Sequence, residues 1–319
     1  MRVFVSRAIP KDALDIIQGV QGVELDVWDD VTPPTREALA ARITDADGLL
    51  CLLTDRIDGP LLDGAPRLKV VSQMAVGYDN IDVPACKQRG IAVGNTPGVL
   101  TETTADLAFG LLLATARRLS EAENDLRSGE WKTWSPMQWT GVDVHDSTIG
   151  IVGMGRIGYE VARRAHGFEQ EIIYSGRSRN PQVESAFGAE FVDLDTLLQR
   201  SDFVSIHTPL TPETRHSFGL EQFRKMKRSS ILINTSRGPV VNQVELVEAL
   251  RQGLIAGAGL DVFEIEPLPL DDPLLSLPNV VLLPHIGSAS IRTRTRMAVL
   301  AARNLVAGLE GKPLPNPVG

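Results

Sequence analysis

The sequence predicts an α/β protein built from two doubly wound parallel-sheet domains, and three observations carry this. Short apolar runs alternate with helix-length, polar-periodic segments through the first hundred residues. The same alternation restarts near Ser147 and continues to Leu283. The opening strand of the second series runs directly into a glycine-rich turn. Alternation of this kind implies parallel strands, with the crossover helices covering both sheet faces.

In the first series, strands are expected at Arg2–Val5, Gly48–Leu53, Lys69–Ser72 and Ile91–Val93, with helices at Lys11–Gln18, Thr35–Ile43 and Val83–Arg89. The strands are short and mainly apolar, with no alternation of polar and apolar residues, the pattern of strands buried on both faces. Thr96-Pro97-Gly98 marks a crossover between domains. Thr101–Ser128 then reads as one long helix, and its apolar centre Ala105–Ala116 is expected to be buried. Further strands are expected at Thr148–Val152, Glu171–Tyr174, Phe203–His207, Ser230–Ile233, Ile255–Leu260 and Val280–Leu283. A last helix spans Ala289–Leu309, arginine-rich on one side and apolar on the other.

Composition narrows the function. The chain has 319 residues, room for two domains of ordinary size, and its 43% hydrophobic content is that of a folded protein. A net charge of −8 gives no global attraction to nucleic acid or to an anionic membrane, so neither is an expected partner. Any anionic ligand must be held by local arginines. Cys51 and Cys86 lack metal-ligand spacing, so no metal site is expected, and Cys51 reads as a small buried hydrophobe. The opening residues read as a strand, not a secretory signal, and no apolar run is long enough to span a bilayer, so a cytoplasmic protein is expected.

Ile149–Gly158 places Gly-x-Gly-x-x-Gly after a strand and at the start of a helix. Gly153 permits the tight turn, Gly155 admits a pyrophosphate close to the backbone, and Gly158 lets helix pack on strand. Arg156 and Ile157 lie at the helix start, where N–H groups lack intrahelical partners and the dipole favours an anion. The pattern in this context points to a bound dinucleotide. Binding of NAD usually places an acidic residue at the end of the next strand. Here Ser175 stands in that position, and Arg177, Ser178 and Arg179 follow. A serine with two arginines attracts a 2′-phosphate that a carboxylate would repel. At roughly 1.5–3 kcal/mol per hydrogen bond to a charged group, two such bonds favour NADP(H) over NAD(H) by roughly two to four orders of magnitude. NADP(H) is therefore the expected cofactor, with NAD(H) possible at lower affinity.

Three polar residues follow predicted strands of the second half: Arg237, Glu266 and His285. An arginine grips a carboxylate at two points. A histidine donates a proton to a carbonyl oxygen. A neighbouring glutamate orients that histidine and favours its charged form. Together they suit hydride transfer to a small 2-oxo acid. His207 also ends a strand near this edge, but no carboxylate is evident as its partner, and it reads as a wall of the groove.

Seven segments occur in an order and spacing that resemble the D-isomer-specific 2-hydroxyacid dehydrogenase family, most closely its glyoxylate/hydroxypyruvate reductases. They are Val76–Asp82, Thr101–Asp106, the glycine turn, Ser205–Thr214, Asn234–Gly238, Gly259–Pro267 and Pro284–Ser288. The resemblance implies that a Rossmann cofactor domain, residues 99–287, is inserted in a flavodoxin-like substrate domain formed by residues 1–98 and 288–319. It implies catalytic roles for Arg237, Glu266 and His285, and substrate contacts from the backbone of Val76 and Gly77 and from Ser288. Thr104 is implied to meet the nicotinamide end of the cofactor, while Pro209, Thr214, Thr235, Asp261 and Gly287 line its groove. A homodimer formed through the cofactor domains is implied as well. Asn242, where the family commonly has aspartate, and Ser217, where an apolar residue is usual, depart from the pattern. The alternatives are a relative acting on another 2-hydroxy acid, phosphite or formate, or a non-enzymatic dinucleotide-sensing module. Trp131, Trp134 and Trp139 form an aromatic group expected at a dimer or domain interface, with Trp139 or Met137 as candidates to reach a neighbouring subunit's pocket.

Overall fold

Five short strands near the N-terminus assemble into one sheet, seen in a computed structural model that describes residues 1–319. The order along the chain is β1 (Arg2–Val5), α1 (Lys11–Gln18), β2 (Glu24–Val27), α2 (Arg36–Ile43), β3 (Gly48–Cys51), α3 (Gly59–Asp63), β4 (Val70–Gln73), α4 (Val83–Gln88) and β5 (Ala92–Gly94). The sheet order is β2-β1-β3-β4-β5 with every pairing parallel, the flavodoxin-like arrangement. Phe4, Leu49 and Val71 are wholly buried in its core. Strand β2 lies outside the sequence expectation. It is an edge strand, and edge strands keep charged residues such as Glu24 and Asp26 that break an apolar run. Helix α3 is likewise unexpected. It is a five-residue turn started by Asp58, whose side chain accepts the Leu61 N–H.

The second unit comprises Thr101–Gly287. Its elements are α5 (Thr101–Ala116), α6 (Leu119–Arg127), β6 (Thr148–Val152), α7 (Arg156–Gly167), β7 (Glu171–Ser175), α8 (Pro181–Phe187), β8 (Glu190–Phe191), α9 (Leu194–Arg200), β9 (Phe203–Ile206), α10 (Leu220–Lys225), β10 (Ile231–Asn234), α11 (Gln243–Arg251), β11 (Gly257–Leu260) and β12 (Val280–Leu282). Seven parallel strands run in the order β12-β11-β10-β9-β6-β7-β8. This is the Rossmann order with a seventh strand added beyond the sixth. Separate cores cover the two faces. One, around Leu111, Val161 and Tyr174, packs α5 and α7; the other, around Leu197, Phe223 and Leu246, packs α9, α10 and α11. Asn242 caps α11 by accepting the Glu245 N–H, so the amide performs the capping that an aspartate would.

The single helix expected over Thr101–Ser128 is two helices. Arg118 adopts a left-handed backbone, φ 53°. The Ala116 carbonyl accepts the N–H of Val142 at 2.9 Å, and the Arg118 side chain pairs with Glu121. No glycine or proline marks the break, because a distant stretch of chain terminates the helix. Strand β11 starts at Gly257, two residues later than expected, although Ile255 before it is buried.

Residues Ser288–Gly319 fold with Met1–Leu100. Their helix α12 (Ile291–Leu309) buries Ala298, Ala301, Ala302 and Leu305. Gly48 leaves room for Leu305 and Leu309, the Ser72 hydroxyl donates to the Ala301 carbonyl at 2.7 Å, and the Asn304 amide donates to the Asn95 carbonyl at 2.8 Å.

Candidate active site

The glycine turn joins β6 to α7, at the point where β6 has β7 on one side and β9 on the other. Crevices form at such switch points, beyond the carboxyl ends of the strands. Gly153 has φ 96°, and a Cβ there would lie 2.9 Å from the His207 carbonyl carbon. A Cβ on Gly158 would lie 2.4 Å from the Gly153 oxygen. The protein's own packing thus accounts for both. Gly155 differs: a Cβ there would meet nothing within 4 Å. It is also the N-cap of α7 and offers no capping side chain. An exposed helix start with no side chain over it fits a pyrophosphate.

Groups around the turn fit the rest of a dinucleotide. The Thr235 hydroxyl, at the end of β10, is buried and has no hydrogen-bond partner. Thr104 is buried beside Gly287. The Thr214 hydroxyl is spent locally, donating to the Pro209 carbonyl at 2.7 Å and accepting the Thr211 N–H, so it shapes the loop after β9. Asp261 accepts the N–H groups of Ile286 and Gly287, each at 2.7 Å. Burial raises its carboxyl above the ordinary range despite those two bonds.

The loop after β7 is less simple than its sequence implies. Ser175 is half-buried, and Gly176, Arg177 and Ser178 are exposed. Arg179 has a partner: its guanidinium grips both oxygens of Glu184 at 3.0 and 2.8 Å. Glu184 in turn accepts the Tyr174 hydroxyl at 2.6 Å. Only one of the two arginines therefore stands clear of an ion pair.

Arg237, Glu266 and His285 follow β10, β11 and β12, three adjacent strands. Arg237 leaves its strand through an asparagine turn. The Asn234 side chain accepts the Ser236 N–H at 3.0 Å and donates to the Arg237 carbonyl at 3.0 Å. Gly238 then lies against the Phe263 carbonyl, where a Cβ would come within 1.9 Å, which brings this loop onto the one bearing Glu266. Glu266 Oε1 accepts the Phe263 N–H at 3.0 Å, and Oε2 faces His285 Nδ1 at 2.7 Å. Burial alone would raise the Glu266 carboxyl. The hydrogen bond from His285 and its charge, the Phe263 N–H and the nearby Arg237 outweigh it and hold the group below the usual glutamate range. Glu266 is thus ionised at neutral pH, which assigns the proton to Nδ1 and leaves Nε2 to face a ligand. His285 has φ 54°, a conformation costly for a residue with a side chain. Asp261 secures it by gripping the next two N–H groups. Neither Asn234 nor this anchoring role of Asp261 was evident from the sequence; an asparagine between an apolar strand and Ser-Arg was the available signal.

His207 bonds Ser205 at 2.8 Å. Burial lowers its imidazole to about 4, so it is neutral at pH 7 and unsuited to donate a proton. In the unfolded chain histidine titrates near ~6.5. Between these values the unfolded state binds the extra proton, so stability is full above ~6.5 and falls as pH drops towards 4. The whole shift is worth at most about 3 kcal/mol. His207→Gln is expected to flatten the fall in Tm over this window; a profile parallel to wild type would exclude His207 as its source.

Among the remaining sites, Val76, Gly77 and Ser288 are half-buried in the unit formed by Met1–Leu100 and Ser288–Gly319. Trp131 and Trp134 are exposed and make no ring contact with Trp139, whose indole donates to Asp125. Cys51 and Cys86 are buried, and burial raises both thiols, Cys86 to about 11. No group of side chains suited to a metal is present, and no helix is long and apolar enough to cross a membrane.

Comparison with known proteins finds close relatives. A family model described as "D-isomer specific 2-hydroxyacid dehydrogenase, NAD binding domain" matches residues 109–287. The chain is 56% identical over 316 residues to the glyoxylate reductase of Korarchaeum cryptofilum, covering 99% of this chain and 95% of that one. A solved protein of Thermus thermophilus superposes with TM-score 0.94 at 47% identity, covering 100% of both chains. The NADPH-dependent glyoxylate/hydroxypyruvate reductase of Sinorhizobium meliloti, solved with NADP and malonate, gives 0.88 at 35% identity, covering 100% of this chain and 96% of that one.

Proposed function

The chain belongs to the D-isomer-specific 2-hydroxyacid dehydrogenase family, and from that premise we propose that it reduces glyoxylate and hydroxypyruvate to glycolate and D-glycerate with NADPH. The observation that carries this reading is the Glu266–His285 pair, 2.7 Å apart on the strand ends beside Arg237. Gly153–Gly158 and the Ser175–Arg179 loop would hold a nicotinamide dinucleotide, which when bound would supply the hydride. Arg237 grips the substrate carboxylate, and the backbone of Val76 and Gly77 and the side chain of Ser288 contribute further substrate contacts. His285 gives the Nε2 proton to the carbonyl oxygen, while Glu266 holds the ring by Nδ1.

NADPH preference rests on Ser175, Arg177 and Ser178, with no carboxylate at the strand end. Because Arg179 is engaged by Glu184, the preference is expected to be about tenfold to a hundredfold, the effect of one charged contact. We place the enzyme in the cytoplasm as a homodimer. Leu119, Leu126, Trp131, Trp134 and Met137 are all exposed within one stretch of the second unit, and tryptophan and methionine are enriched at interfaces.

A panel of 2-oxo acids assayed with NADPH and NADH tests the proposal, with the solution mass of the same preparation measured by light scattering. Glyoxylate and hydroxypyruvate should give the highest kcat/KM, NADPH should be favoured, and the mass should be about twice that of one chain. A higher kcat/KM with another acid, or with NADH, would refute the corresponding assignment, and a monomeric mass would refute the dimer.

A further inference from the structure

The loop between β4 and α4 is held from the inside. Three consecutive carbonyls are each occupied. Ala75 O accepts the Thr96 N–H at 2.9 Å, Val76 O accepts the Asn95 amide at 2.8 Å, and Gly77 O accepts the Gln73 amide at 3.3 Å. In a trans peptide the carbonyl and the following N–H point in opposite directions. Turning these carbonyls inward therefore turns the N–H groups of Val76, Gly77 and Tyr78 the other way. None of the three meets an acceptor within the protein. Val76 and Gly77 are half-buried and Tyr78 is exposed, so the run is accessible.

The residues that hold the loop are themselves held. Gln73 is fully buried, donates to Asn80 at 2.8 Å and accepts the Cys51 thiol at 3.0 Å. Asn80 donates to the carbonyls of Leu52 at 3.1 Å and Asp55 at 2.8 Å. Asn95 is buried too, and its backbone is tied to Asn304 and Asn316. Burying this many amides costs free energy that an apolar filling would avoid. What the network achieves is one fixed orientation of the loop's peptide planes.

We propose that Asn95 and Gln73 are positioning residues that hold the Val76 and Gly77 carbonyls inward, so that the loop offers an unbroken run of N–H donors, extended by Tyr78, to the substrate carboxylate. This rests on the reading that the Val76–Gly77 backbone contacts that carboxylate. Successive outward N–H groups form an anion-binding surface, and each bond to a charged acceptor is stronger than its neutral counterpart. A peptide plane released to rotate would present a carbonyl oxygen to the anion instead.

The test uses the whole enzyme with glyoxylate and NADPH, comparing Asn95→Ala and the volume-conserving Asn95→Leu with wild type and Arg237→Ala. Both Asn95 variants should raise KM for glyoxylate about tenfold or more, the loss of one bond to a charged group. Their kcat should stay within about threefold of wild type, and the Kd of NADPH, read by fluorescence, should not move. An unchanged KM in both, while Arg237→Ala still raises it, overturns the positioning role and leaves the proposed function standing. An unchanged KM in all three variants removes both. A joint loss of kcat and NADPH binding in both Asn95 variants marks a purely structural role and also overturns the proposal.

Discussion

Replacing His285 with alanine is expected to lower kcat for glyoxylate reduction by about 10²–10⁴, the range for loss of a general acid. The surroundings of the imidazole support an effect of this size. Glu266 stays ionised and binds Nδ1, so the ring is held in one orientation with a proton on Nδ1. The left-handed backbone at His285, secured by Asp261, fixes the position of the ring. The dinucleotide site at the glycine turn does not include His285, so the Kd of NADPH should change little. Reduction needs the imidazolium and oxidation needs the neutral ring, so kcat/KM for the two directions should run oppositely with pH in wild type and lose that opposition in His285→Ala. Near-wild-type turnover, or parallel pH profiles in the two directions, would remove His285 from the proton-donor role.

Arg237→Ala should reduce kcat/KM by at least about thirtyfold, because removing the charged partner of a bound, desolvated carboxylate costs about 2–5 kcal/mol. The loss should fall largely in KM if the guanidinium grips the carboxylate equally in the ground and transition states. Arg237→Lys keeps the charge but not the planar two-point fork, so it should recover only part of the loss. The strand-end turn at Asn234 and the close approach of Gly238 to Phe263 hold the Arg237 backbone in place. That rigidity is why a shorter, more flexible cation is a poor replacement. Full recovery by lysine would show that only charge matters here.

Much of the architecture was legible because its signals are local. The buried strands β1 and β3 are short, mainly apolar runs, and the turn at Gly153–Gly158 is a spacing. The missed elements lack such signals. Edge strands β2 and β8 carry charged residues because one side is unpaired, and the end of α5 is set by Val142. The candidate acid and base were readable as polar residues at strand ends. The Asn234 turn and the partner of Arg179 were not, because a hydrogen bond made by a side chain leaves no periodic trace.

The two parallel sheets, the glycine turn and the family follow from the amino-acid order alone, because apolar period and motif order are properties of the chain in line. Folding in three dimensions was needed to place Ser288–Gly319 on β3 and β4, to pair Glu184 with Arg179, and to turn the Val76–Gly77 loop through Asn95 and Gln73. Each of these depends on which distant segments become neighbours. That is settled by packing volume and by pairing buried polar groups, whose cost if left unpaired selects one arrangement.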